Sequence, residues 1–235
     1  GLPGVTGTFG GAQDGLVLKF NPSLSALPWG QYLGGAGDDA AYVLALNKAQ
    51  TLLYVAGGVT GAALPPTSTT GSLYPVPRGG IDGFIAKFDV ATNALLKSTY
   101  IGSPAYDQCF GVQVDDDENV YVMGNTLGTE ASFPSTPGVV SVTGAPQFIL
   151  KLAPTLAGPS IYTLRFGTAN ATTVNISPVA FLVDTCQNVY VSGWGGPTSS
   201  NGGSTAGMLT HFPASNPVTP SGILSTTTDG GDFYF

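Results

Sequence analysis

Four short strand-like runs recur along this chain at a spacing of about 67 residues, and this repeat restricts the fold more tightly than any other feature. The first run is GLVLKF at 15–20, GFIAKF at 83–88 and FILKL at 148–152, and it opens again as DFYF at 232–235. The second is YLGG at 32–35, YIGS at 100–103 and RFGT at 165–168. The third is AYVLAL at 41–46, GVQV at 111–114 and AFLV at 180–183, and the fourth is LYVAG at 53–57, VYVMG at 120–124 and VYVSG at 189–193. Lys19 to Lys87 is 68 residues, Lys87 to Lys151 is 64, Tyr54 to Tyr121 is 67 and Tyr121 to Tyr190 is 69. Each run is rich in Val, Ile, Tyr and Phe and is bounded by Gly, Pro, Asn or Asp, the pattern of a strand between turns.

Four strands per period predict an all-β fold, a β-propeller of four-stranded antiparallel blades. A parallel β-helix has shorter coils and no hairpin turns, and a sandwich does not repeat four strands three times. Units fall at about 11–71, 79–140 and 144–222, with the start of another at 229–235 and no separate second domain. The Pro- and Thr-rich segments LPPTSTTG at 64–71, FPSTPG at 133–138 and NPVTPSG at 216–222 are expected to link blade to blade, because Pro removes ladder donors. DDDEN at 115–119 and DTCQN at 184–188 fill the same slot between third and fourth runs and are expected to be hairpin turns. About three and a quarter blades make only a partial ring, since propellers typically close with four to eight. The rest of the ring is expected from the same or another chain, and a slice of a longer polypeptide is favoured over two copies closing a six-bladed ring.

Composition narrows the partners. Of 235 residues, 34 are Gly and 18 Pro, which disfavours long helices. Only 9% are charged while 43% are hydrophobic, which is unlike a disordered chain. Seven Lys and Arg against 14 Asp and Glu leave a net charge of −7, a poor match for nucleic acid or anionic lipid. Apolar runs are broken far short of the roughly 20 residues of a membrane span. No signal-peptide pattern stands at Gly1, so localisation has to be inferred by other means.

Candidate chemistry is sparse. His211 is the sole histidine, so a His-based metal cluster or a full triad has little to draw on. No Gly-x-Ser-x-Gly elbow or Gly-Lys-Ser/Thr phosphate loop occurs, and no catalytic residue or cofactor is expected. Asp115, Asp116, Asp117 and Glu118 form the one dense acidic run, a candidate for Ca²⁺. Their spacing lacks the EF-hand alternation and its glycine, so a solvated hairpin tip is the expected state. Asp38 and Asp39 align with Tyr106 and Asp107, and this acid is expected to hold a turn by accepting backbone hydrogen bonds. Cys109 and Cys186 fall at opposite ends of their third strands and are expected to be free, mostly buried thiols. The sequons at Asn170 and Asn175 matter only in a host that glycosylates them.

GQYLGGAGDDAAY at 30–42 and GGIDGFIAKF at 79–88 resemble the bacterial beta-propeller repeat family SBBP. YDQCFGVQV at 106–114, NISPVAFLVDTCQNVYVSGWGG at 175–196 and STTTDGGDFYF at 225–235 are similar to large cell-surface proteins of Bacteroidota. Such proteins carry the propeller upstream of PKD-type domains and a gliding-motility-associated sorting domain of type IX secretion. The resemblance implies an extracellular or surface location and a role in adhesion, gliding or surface assembly, with no catalytic activity.

The expected function is therefore a non-enzymatic structural or adhesive module. The insertion at 197–212 is the most individual loop, and Trp194, Asn201 and His211 are the candidate contacts to a partner, other surface proteins or glycans. The alternative is a ligand-binding propeller accessory to an extracellular enzyme, with Trp29 and Trp194 as glycan platforms; it requires their indoles to be exposed.

Overall fold

A computed structural model describes residues 4–167, 177–195 and 232–234. The elements in chain order are β1 (Val5–Thr6), β2 (Gly15–Lys19), β3 (Trp29–Leu33), β4 (Ala40–Leu46), β5 (Leu52–Thr60), the single turn of helix α1 (Pro66–Thr69) and β6 (Ile81–Asp89). They continue with β7 (Leu95–Ile101), β8 (Asp107–Val114), β9 (Val120–Thr126), β10 (Gln147–Leu152), β11 (Tyr162–Phe166), β12 (Ser177–Val183), β13 (Val189–Gly195) and β14 (Asp232–Tyr234). The fold is all-β with almost no helix. Two complete four-stranded antiparallel sheets, β4-β5-β6-β7 and β8-β9-β10-β11, lie between three-stranded sheets ordered β1-β3-β2 and β12-β13-β14. No helix among the described residues is long and apolar enough to cross a membrane.

The sheets straddle the units drawn from sequence. Each complete sheet takes the third and fourth runs of one period and the first and second of the next. The Pro- and Thr-rich segments at 64–71 and 133–138 therefore connect neighbouring strands within a sheet, β5 to β6 and β9 to β10, and not blade to blade; 216–222 lies outside the described residues. A repeat fixes a period without fixing where the unit starts, and Pro is tolerated in any connection that leaves the ladder. Here β5 and β6 pair from Leu52↔Asp89 to Thr60↔Ile81 despite the long loop between them. Among the described residues the links between successive sheets are the short segments 34–39 and 102–106.

Sheets pack face to face through apolar side chains. One core joins Tyr54, Ala56, Ile85 and Ile101 of the β4–β7 sheet to Cys109, Val112, Val122 and Phe148 of the β8–β11 sheet. A second joins Val17, Trp29 and Leu33 to Val55, Phe84 and Phe88, and a third joins Tyr121, Met123 and Ile149 to Phe181. Burying each such side chain contributes about 1.5–3 kcal/mol. Every first strand carries a bulge at the same place, between Ala41/Val43, Cys109/Gly111 and Pro178/Ala180. The glycine that closes the fourth run follows from packing. A Cβ on Gly124 would lie 2.1 Å from the Gln108 carbonyl and 2.6 Å from the Phe148 ring, and one on Gly57 would lie 1.9 Å from the Ala40 carbonyl.

Candidate functional site

The acidic run forms the β8–β9 hairpin turn, as its residues suggest. Asp115 Oδ1 accepts the backbone N–H groups of Asp117 and Asn119 at 3.0 and 2.9 Å, and Glu118 takes φ 65°. The β12–β13 turn is built alike: Asp184 Oδ1 accepts from the N–H groups of Cys186 and Asn188, both at 2.8 Å, and Gln187 has φ 65°. The β4–β5 turn is longer by a residue, and there Asn47 Oδ1 accepts from Thr51 and Leu52 at 2.8 and 2.9 Å. An Asx side chain folding back on its own backbone is the local cause in all three.

These turns meet one another across the sheets. Asn47 Nδ2 donates to Glu118 Oε1 at 3.0 Å, and Lys48 Nζ reaches Asp116 Oδ2 at 2.5 Å. On the other side Gln187 Nε2 donates to Asp117 Oδ2 at 2.8 Å. Buried Lys151 joins the two turns, with Nζ 3.3 Å from Asp115 Oδ2 and donating to Gln187 Oε1 at 2.9 Å. Tyr121 donates its hydroxyl to Asp115 Oδ2 at 3.1 Å, and the Lys151 ammonium stands 4.7 Å from the Tyr121 ring centre. Burial would raise Asp115, but the hydrogen bonds from Asn119, Tyr121 and Lys151 hold its carboxyl below the ordinary range.

The four sequence-nominated calcium ligands thus turn to separate partners: Asp115 inward, Asp116 to Lys48, Asp117 to Gln187 and Glu118 to Asn47. Among the described residues no three His, Cys, Asp or Glu side chains gather as metal ligands. A carboxylate already engaged with Lys or amide donors has fewer lone pairs for a cation. The run joins one hairpin to the next.

Asn201 and His211 lie outside the described residues. Trp194 belongs to β13, where its backbone is paired with Ser177 and Phe233, but its side chain lies outside the described residues as well. Trp29 is buried and packs edge-on to Phe88 with ring centres 5.5 Å apart, so it presents no platform to a glycan. Of the two thiols, Cys109 is buried, and desolvation pushes it well up, but Cys186 is exposed, contrary to the expectation that both are mostly buried. The reason is its place in the turn, past the end of β12.

Two features escaped sequence reasoning. Arg165 is fully buried; its Nε, Nη1 and Nη2 donate to the carbonyls of Ala145, Phe133 and Gly128 at 2.7, 2.9 and 2.8 Å. It pins the 127–146 connection over the sheet, with Glu130 3.7 Å away. Tyr100 fills the same slot one repeat earlier, where its hydroxyl accepts from Leu64 N–H at 3.0 Å. The signal was a cation standing where the other repeats have Tyr in YLGG and YIGS. The second feature is that Asp107, whose turn-holding role its alignment with Asp39 suggested, is sealed together with Asp82 at the opposite end of the sheets from the turns. Asp82 Oδ2 accepts from Arg78 and Gly79 N–H, and Asp107 Oδ2 from Ser103 N–H and Oγ–H. Both carboxyls are raised, chiefly by burial, and Asp82 adds to the rise at Asp107. Asp39 holds the preceding loop in the same manner, accepting from Gly35 N–H at 2.6 Å, as its sequence position suggested. Asp82 and Asp107 are 0% exposed, so they are closed to any external substrate. A cavity of about 50 Å³ lined by Leu73, Tyr74, Phe133, Pro134, Leu150, Ser160 and Thr163 has room for water and none for a sugar ring.

A beta-propeller repeat family model, SBBP, matches residues 96–130, the stretch that runs from β7 through β8 and the acidic turn to β9. The rest of the chain is outside that match. No curated protein matches the chain.

Proposed function

We propose that this chain is a segment of a β-propeller, about three and a quarter blades of a ring completed by further blades, and that it serves as a non-catalytic structural or adhesive module. The observation that carries this is the matched repeat at 96–130, set in sheets that bury their faces on one another while their polar turns are spent on inter-sheet contacts. Side chains used in that way hold a stack together and leave no convergent reactive set on the described surface. The resemblance of 175–196 and 225–235 to Bacteroidota surface proteins extends the proposal: a secreted or surface-attached part of a longer chain exported by type IX secretion, active in adhesion, gliding or surface assembly.

The test is to delete this segment from the full-length gene in its native host and follow both surface display and attachment. The expected result is a displayed remainder with weakened attachment or gliding. Cells that attach and glide normally with the shortened protein on their surface would overturn the adhesive role, and a protein confined to the cytoplasm would overturn the surface assignment.

A further inference from the structure

Equivalent positions in successive sheets differ in exposure in a way that defines an unfilled joint. Inside the stack the first strand of each sheet inserts an apolar side chain into the face of the preceding sheet. Val112 of β8 does so against the face that carries Tyr54, and Phe181 of β12 against the face that carries Tyr121. These residues are 0% and 8% exposed, and both tyrosines are 0% exposed. Leu44 of β4 stands at the position of Val112 and Phe181, and Leu46 follows on the same face, yet they are 51% and 48% exposed.

The cause is the shape of the sheet that precedes them. β8 packs over β4, β5 and β6, the first three strands of its neighbour. Toward the preceding sheet β4 packs chiefly on β2, which holds the third place in its sheet, and β3 holds the fourth. Among the described residues nothing pairs with the outer edge of β2, where a second strand would stand. An open ladder edge and an uncovered pair of leucines lie side by side, and each is a liability that a folded chain normally covers.

We propose that this joint, the free edge of Gly15–Lys19 together with Leu44 and Leu46, is a docking site for a β-hairpin of the same repeat, made of third- and fourth-run strands like 107–126. The proposal rests on the stacked-propeller function above. The occupant's second strand adds to β2 by backbone hydrogen bonds, and its tyrosine lies beneath Leu44 as Tyr54 lies beneath Val112. Its turn then stands within reach of Gln50, the left-handed residue at φ 57° in the place from which Glu118 and Gln187 reach their neighbours. A second copy of the chain is a poorer fit. The strand it would offer, β13, already carries β14 on the edge that would have to pair with β2.

The test joins residues 107–126 through a Gly/Ser linker of about 25 residues to the amino end of the whole chain, which holds the hairpin at millimolar effective concentration. Amide exchange is read in β2, β4 and β10, with the linker alone as control. Exchange in 15–19 and 44–46 should slow by about tenfold or more with the hairpin attached, and Leu44→Asp, a change at an exposed site, should abolish the slowing. If β10 is strongly protected while β2 and β4 are unaffected, the docking site is overturned and the stacked-sheet function stands. Rapid exchange in β10 overturns both. Protection that appears without the hairpin and grows with protein concentration, alongside a dimer in light scattering, assigns the joint to a second copy and overturns the hairpin.

Discussion

The β8–β9 and β12–β13 turns are near copies, and they live in different environments. Asp115 and Asp184 accept the same two backbone donors, an Asn amide and a Tyr hydroxyl, at distances that agree within about 0.3 Å. Yet the Asp115 carboxyl is sealed, with Lys151 against it and Tyr121 under the next sheet, whereas Tyr190 is 55% exposed and Asp184 leans on its own turn. The turn is therefore a local product of its five residues. Burial, and with it the energetic weight of each side chain, is conferred by the neighbouring sheet.

The tyrosines give the widest separation. Tyr121→Ala removes a ring from a closed core and should cost about 3–5 kcal/mol in urea unfolding, while Tyr190→Ala should shift the midpoint far less. Equal losses at both sites would mean that Tyr190 is covered in solution. The carboxylates come next. Asp115→Ala strands the buried Lys151 ammonium and should cost about 2–3 kcal/mol, and Asp184→Ala, a change at an open turn, should be clearly milder in the same titration.

Acid and base separate the two ends of the sheets. Asp115 is held below its ordinary value of 3.8, so its contribution is present above that value and disappears as the pH falls through the lower native one. Asp184 is lowered too, foremost by its Asn188 amide, so both turns weaken in acid. Asp82 and Asp107 are raised, so their contribution is complete below 3.8 and is lost as the pH rises through their native values. Asp107→Asn should flatten the fall in stability on the rising side and leave the acid limb unchanged. Unfolding midpoints across the pH range decide this, and an unchanged profile would mean that the pair is open to water. The smallest effect is expected at Lys48–Asp116, an exposed pair: Asp116→Asn should cost about 0–0.5 kcal/mol, and less at high salt.

Much of this fold is visible in the residues. Strand runs, hairpin turns, the closing glycine of each fourth run and the turn-holding role of Asp39 all follow from contacts within a few residues or one repeat, where side-chain chemistry and backbone geometry meet directly. The frame of the sheets was not visible, because a cyclic pattern has no marked beginning and the Pro-rich loops look alike wherever they connect. Asp115–Glu118 looked like possible cation ligands since sequence shows charge density but not direction; the partners that divert them, Lys48, Asn47, Lys151 and Gln187, lie 36 to 71 residues from their contacts. Arg165 was legible only as an odd cation in a tyrosine slot.

The sequence by itself determined that the chain is made of short antiparallel strands at a period of about 67 residues, since alternation, turn residues and repetition are local or periodic properties. Only the tertiary structure decided which copy of a repeated residue is buried. Leu44 and Val112, or Tyr121 and Tyr190, hold the same place in their repeats, and the sheet stacked against each one makes it a core residue or a surface one. Face-to-face burial depends on neighbours in space, which a repeat leaves unspecified at its ends.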